Sequence, residues 1–272
     1  MAQHFYDILK NQNNFDLYRE YSKLRNMFYS KKIILDNPYP GETTIFFVID
    51  KNFKNVKFND GSFESLWEFE QQNKLTFRME QTPPSKDYYL FFCEYLINLL
   101  NNFDISDKEF KSYCTDLKNY ILKSISKLNY IESKKEDIII FIPKDELTIE
   151  VAAKVEPSLK EKILNYRHHS LNGKLDKKRD VLNSLALELE PKRNILSSLA
   201  SNMTSDLFAA FNNFSIRHNN SDPSDSGKYN EKFTNLSDTE KEELYDFVFQ
   251  YCLIALKLLD NKRCKDLIER YK

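Results

Sequence analysis

Arg217 and His218 stand side by side in the stretch Leu207–Asp222, LFAAFNNFSIRHNNSD, where an apolar helical segment runs out into polar residues. The chain has four histidines, His4, His168, His169 and His218, and two of them directly follow an arginine. Arginine grips a phosphate through its planar fork, and histidine moves a proton near neutral pH. Such a pair is the smallest kit for cutting RNA without a metal. One group assists the 2′-OH attack or protonates the leaving oxygen, and the other stabilises charge on the crowded phosphate. Arg217 and His218 are therefore the candidate catalytic residues. Asn213, Asn219 and Asn220 flank them, with amides suited to orienting a base or a phosphate. Arg167 and His168 form the second Arg-His pair and are a further candidate substrate contact.

Each of these residues also has a structural reading. Arg217 and His218 can cap the last carbonyls of the preceding helix. The asparagines suit turn chemistry. Arg167, His168 and His169 lie in Lys-rich sequence that would serve as a solvated face. Glu242, Glu243 and Asp246 fall near the start of the last long helix, where they either pair with Arg217 or favour the helix N-terminus.

Other chemistries lack their residues. Cys93, Cys114, Cys252 and Cys264 are widely spaced and form no C-x-x-C pair, so no zinc site is expected. Asp50 ends an apolar run without the Glu-x-Lys that a metal nuclease would place after it. No nucleophile elbow, Walker loop or dinucleotide fingerprint occurs. No metal and no cofactor is expected.

The elements that must hold the pair are mostly helical. Phe15–Phe28 has aromatic residues at a helical period. Pro38, Pro40 and Gly41 interrupt it, and Thr44–Asp50, TIFFVID, has the β-branched and aromatic content of a strand. Val56–Phe58 and Leu75–Met79 are further short strand candidates, with a short helix around Trp67 between them. Pro83 and Pro84 mark a boundary. Beyond it Ser85 caps a helix, and capping boxes at Ser106–Glu109, Ser158–Glu161 and Ser237–Glu240 open three more. Asp137–Pro143, DIIIFIP, predicts a buried strand that joins the N-terminal strands. Gly173 ends one helix, and Pro191 breaks a long one that starts at Leu175.

The expected fold is mainly α: a helical bundle over residues 85–272, with a small N-terminal α+β unit over residues 1–84. With 41% hydrophobic and 30% charged residues the chain is globular. Four glycines are too few for a Gly-rich phosphate loop or a turn-rich β fold. A net charge of −1 gives no overall basic field. The N-terminal MAQHFYDILKNQNN lacks the features of a leader, and no run is long enough for a bilayer, so a cytoplasmic setting without membrane contact is expected.

The helix Leu207–Phe214, the loop Phe211–Asn220 and the amphipathic helix after Ser237 resemble the helical effector domains of bacterial abortive-infection proteins, of the HEPN ribonuclease type. In that family the His follows the Arg at a distance of several residues, whereas Arg217 and His218 are adjacent. The resemblance implies an anti-phage effector that cleaves RNA as a homodimer, triggered by a phage or host protein. The alternative is a non-enzymatic helical interaction or sensor module in which Arg217 and His218 are structural.

Overall fold

The computed structural model describes residues 15–35, 41–80, 83, 85–104, 106–218, 220, 224 and 228–270. The breaker cluster at Pro38 and Pro40, together with Pro84, lies outside them. The fold is mainly helical, with two small antiparallel two-stranded sheets among the described residues. It divides into two compact units, residues 1–143 and 144–272. The expected boundary at residue 84 falls inside the first unit, because elements on both sides of it share one core.

In the first unit α1 (Leu17–Arg25) runs into a π turn, Asn26–Ser30. Strands β1 (Ile33–Leu35) and β2 (Gly41–Thr43) pair next. The run expected to be a strand is helix α2 (Ile45–Lys51). Thr44 explains the difference: its side chain accepts the Phe47 amide at 3.1 Å and caps the first turn. Ile45, Phe46, Val48 and Ile49 are buried, the spacing of a helix face and not the alternation of a strand. Val56–Phe58 contributes a single bridge, Val56 to Phe103. The short helix around Trp67 forms as α3 (Leu66–Gln72).

Leu75–Met79 is turn, not strand. Its carbonyls are met by side chains and not by a ladder: Arg25 donates to Phe77 O at 2.8 Å and to Arg78 O at 2.5 Å. Phe77 is thereby set into the core, 4.7 Å from the Phe92 ring and 5.2 Å from the Tyr95 ring. Tyr29 and Tyr95 donate to the buried Glu70 carboxylate at 2.7 and 2.8 Å. Burial pushes the Glu70 pKa up, and those two hydrogen bonds oppose it.

Helices α4 (Lys86–Asn102) and α5 (Lys108–Lys127) complete the unit with strands β3 (Tyr130–Lys135) and β4 (Ile138–Pro143). Ser85 caps α4 as expected. On α5 the cap is Asp107, which accepts the Phe110 amide at 2.7 Å, not Ser106. The DIIIFIP strand forms, but its partner is β3 and not the N-terminal strands. Helix α4 holds β4 with side chains: Asn98 brackets Ile139 by accepting its N–H at 2.8 Å and donating to its carbonyl at 2.7 Å. Glu94 accepts the Phe141 N–H at 2.7 Å.

The second unit has helices and connecting turns, with no strand among its described residues. Its elements are α6 (Glu146–Ala152), α7 (Pro157–Tyr166), α8 (Leu175–Leu189), α9 (Arg193–Leu199), α10 (Ser201–Asn213), α11 (Glu231–Thr234) and α12 (Asp238–Arg270). Leu182, Leu185, Leu189, Phe211, Phe249 and Leu253 are fully buried at its centre. Helix α7 starts on Pro157 with no side-chain cap, so the Ser158–Glu161 box does not form. The Ser237–Glu240 box does: the Ser237 N–H donates to the Glu240 carboxylate at 2.8 Å, and the Glu240 N–H to Ser237 Oγ at 3.3 Å. Pro191 breaks the long helix as its ring requires, leaving a 3-10 turn at Glu190–Lys192 between α8 and α9.

Candidate functional site

Arg217 and His218 leave the end of α10 on a loop whose path is set by buried groups. Helix α10 closes at Phe214, whose N–H bonds Ala210 O at 3.0 Å. Ser215 then reverses the chain in the left-handed region, with φ of 53°. For a residue with a Cβ this conformation is strained by about 1–2 kcal/mol, so something must hold it. Asn220 does. Its Oδ1 accepts the Ser215 N–H at 2.9 Å, and its own N–H donates to Ser215 Oγ at 3.1 Å. Its Nδ2 reaches Lys228 O at 2.5 Å, and its carbonyl accepts the Asn230 N–H at 2.9 Å. Asn220 is only 1% exposed, so it acts as a loop staple with both ends of its amide bonded inside the protein.

The loop is tied at two more points. The Arg217 N–H donates back to Phe211 O at 3.1 Å, which satisfies a carbonyl of the last helical turn. Tyr245 of α12 donates to Phe214 O at 3.1 Å. Ile216 is buried in the core between them. With Ile216 turned inward, Arg217 and His218 are half-buried at the surface.

They line an open cleft of about 390 Å³ with Ser215, Ile216, and Arg179, Asp180 and Asn183 of α8. The Arg217 guanidinium is held at 2.7 Å by Glu190, from the 3-10 turn that Pro191 creates. The pairing of Arg217 with Glu242, Glu243 or Asp246 is not formed. Glu242 and Asp246 instead take Lys178 at 2.8 and 2.7 Å. Lys178 is buried and lies nearer to them along the α8–α12 seam, which no pattern in the sequence marks.

The other candidates lie elsewhere or play other parts. Asn213 is exposed, and its carbonyl accepts the Asn230 amide at 3.0 Å. Asn219 lies outside the described residues. Arg167 and His168 follow the C-terminus of α7 and do not line the cleft. The Arg167 guanidinium sits 5.8 Å from the Phe249 ring centre. His168 is buried and caps the 3-10 turn His169–Leu171, its Nδ1 accepting the Ser170 N–H at 3.3 Å.

Sequence reasoning missed Arg179, Asp180, Asn183 and Glu190. All four fall on the α8 helix or its break, some thirty residues before the loop. A helix face read as Leu182, Leu185 and Leu189 inward would have turned Arg179 and Asn183 outward, but not toward this loop. Comparison with known proteins adds no identity: no family model, no curated protein and no solved structure matches the chain.

The Asn220 staple generates a prediction. Asn220→Ala removes both side-chain hydrogen bonds of the residue and leaves the Ser215 amide buried without its acceptor. The protein should lose about 1–3 kcal/mol of stability, read as a lowered midpoint in urea. Asn213→Ala, at an exposed side chain, should leave the midpoint in place.

Proposed function

We propose that the chain is a metal-independent ribonuclease of bacterial anti-phage defence, acting through Arg217 and His218. The observation that carries the reading is the open polar cleft lined by both residues of the stapled loop and by Arg179 of α8. Arg217 would hold the scissile phosphate and neutralise the charge that builds on it. His218 would donate a proton to the leaving 5′-oxygen as the 2′-oxygen attacks phosphorus. The 2′-hydroxyl proton passes to water. Asn183 and Asp180 stand beside the pair to orient the sugar or base. The defence setting rests on the resemblance of the loop and the following helix to abortive-infection effectors. It implies a phage or host protein as trigger.

A homodimer is part of the same proposal. Helix α12 carries Phe247, 59% exposed, and Ile254, 39% exposed, with the half-buried Tyr251 between them at a spacing of one helical stripe. Beside them α10 and α12 enclose an apolar groove of about 320 Å³. A two-fold axis across the stripe would set the same apolar residues of two copies against each other. The groove also favours a second reading, in which the unit is an interaction module and Arg217 is structural. No helix among the described residues is long and apolar enough to cross a membrane.

The enzymatic reading makes a paired prediction. His218→Ala should lower RNA cleavage by about 10²–10⁴-fold and abolish growth arrest on induced expression, with an unchanged melting temperature. Arg217→Lys should be severely impaired too, because lysine keeps the charge and loses the fork. A folded His218→Ala protein with full effect sinks the catalytic role and leaves the interaction module. For the dimer, light scattering at tens of micromolar should give twice the chain mass of 32.4 kDa, and Phe247→Asp should return the monomer. A monomeric wild type removes the dimer.

A further inference from the structure

Glu190 occupies the group that the cleft would use to hold a phosphate. Its Oε1 lies 2.7 Å from Nη2 of Arg217, whose side chain keeps 24% of its exposure, while that of Glu190 keeps 43%. The carboxylate comes from the break between α8 and α9. Helix α8 ends at Leu189, and Glu190 opens the 3-10 turn Glu190–Lys192 with its own backbone still helical, at φ −57° and ψ −47°. Its neighbour Glu188 goes to Lys192 instead. The cleft's other arginine, Arg179, is held more loosely: Asp176, one turn earlier and 87% exposed, lies 3.4 Å away.

Carboxylate and phosphate oxygens present the same geometry to a guanidinium fork. A carboxylate paired with one arm of the fork is therefore a competitor for a phosphate. We infer that Glu190 is an internal stand-in for the ligand, a latch that occupies Arg217 until a backbone phosphate of single-stranded RNA displaces it. The inference rests on the reading of the cleft as an RNA site. The latch lowers apparent affinity by the fraction of molecules in which the fork is open. It also keeps Arg217 from gripping other anions, and it leaves the arginine extended over the cleft when the latch opens.

Removing the charge while keeping the shape should free the fork. The test uses the full chain with His218→Ala throughout, so that RNA is bound and not cut. A fluorescein-labelled single-stranded RNA oligonucleotide is titrated against His218→Ala alone and combined with Glu190→Gln or Arg217→Ala. A second readout needs no RNA: the rate at which phenylglyoxal modifies Arg217, followed by peptide mass spectrometry.

Glu190→Gln should tighten RNA binding by about 3–10-fold, the range of a modest opening equilibrium. It should also speed modification of Arg217, and Arg217→Ala should abolish the binding. If Arg217→Ala abolishes binding while Glu190→Gln leaves it unchanged or weakens it, the latch is overturned and the RNA site stands. In that case Glu190 positions Arg217. If none of the variants binds RNA, both the latch and the RNA site fall. An Arg217 modification rate that Glu190→Gln does not raise also overturns the latch.

Discussion

An ammonium group taken out of water must be met by opposite charge, and Lys178 is the place where the second unit has to solve that problem. Its side chain is 4% exposed on α8, bonded to Glu242 and Asp246 of α12 and lying 5.2 Å from the Tyr166 ring centre. The contact fixes the two helices that build the candidate site. Helix α8 carries Arg179, Asp180 and Asn183, one wall of the cleft. Helix α12 carries Tyr245, which anchors the loop at Phe214. Burial alone would raise the Glu242 carboxyl, but the Lys178 ammonium and the Gly173 N–H outweigh it and the pKa ends below the usual range. A depressed carboxylate stabilises the fold above the unfolded value of about 4.3. That contribution is lost as pH falls through the lower folded value. Glu242 and Asp246 keep 22% and 41% of their exposure, so solvent screens part of the interaction.

From that clamp outward the site is a sequence of small constraints. Ser215 is forced into the left-handed region, Asn220 and Tyr245 hold it there, and Ile216 locks into the core. Arg217 follows with its N–H tied to the Phe211 carbonyl. A pair of groups acts on a phosphate faster when the scaffold that carries it is set before the ligand arrives. A buried asparagine and a core isoleucine provide that fixity on a loop.

Much of the helical architecture was legible in the sequence, and the failures have physical causes. The box at Ser237–Glu240 and the cap at Ser85 form because each serine oxygen meets a free N–H of the first helical turn. The boxes at Ser106 and Ser158 do not, because Asp107 and Pro157 lie one residue away and start the helix better. Thr44–Asp50 misled by composition: β-branched residues followed a threonine that caps. Strand β3 escaped notice because YIESKK is polar and only half covered, so no apolar alternation announces it. The loop bearing Arg217 was legible from its polar content between apolar helices. Its partners were not. Glu190 and Lys178 act across the fold, and Asn220 reads as a ligand in the sequence yet spends its amide on the backbone.

The central claim is that Arg217 and His218 cleave RNA by attack of its own 2′-oxygen. That chemistry writes itself on the products. Purified full-length protein should cut single-stranded RNA in excess EDTA, leaving 2′,3′-cyclic phosphate and 5′-hydroxyl ends, and should leave the same oligonucleotide intact when every sugar is 2′-deoxy. Products with 5′-phosphate ends, cleavage of the deoxy strand, or no cleavage of RNA at all would contradict the account.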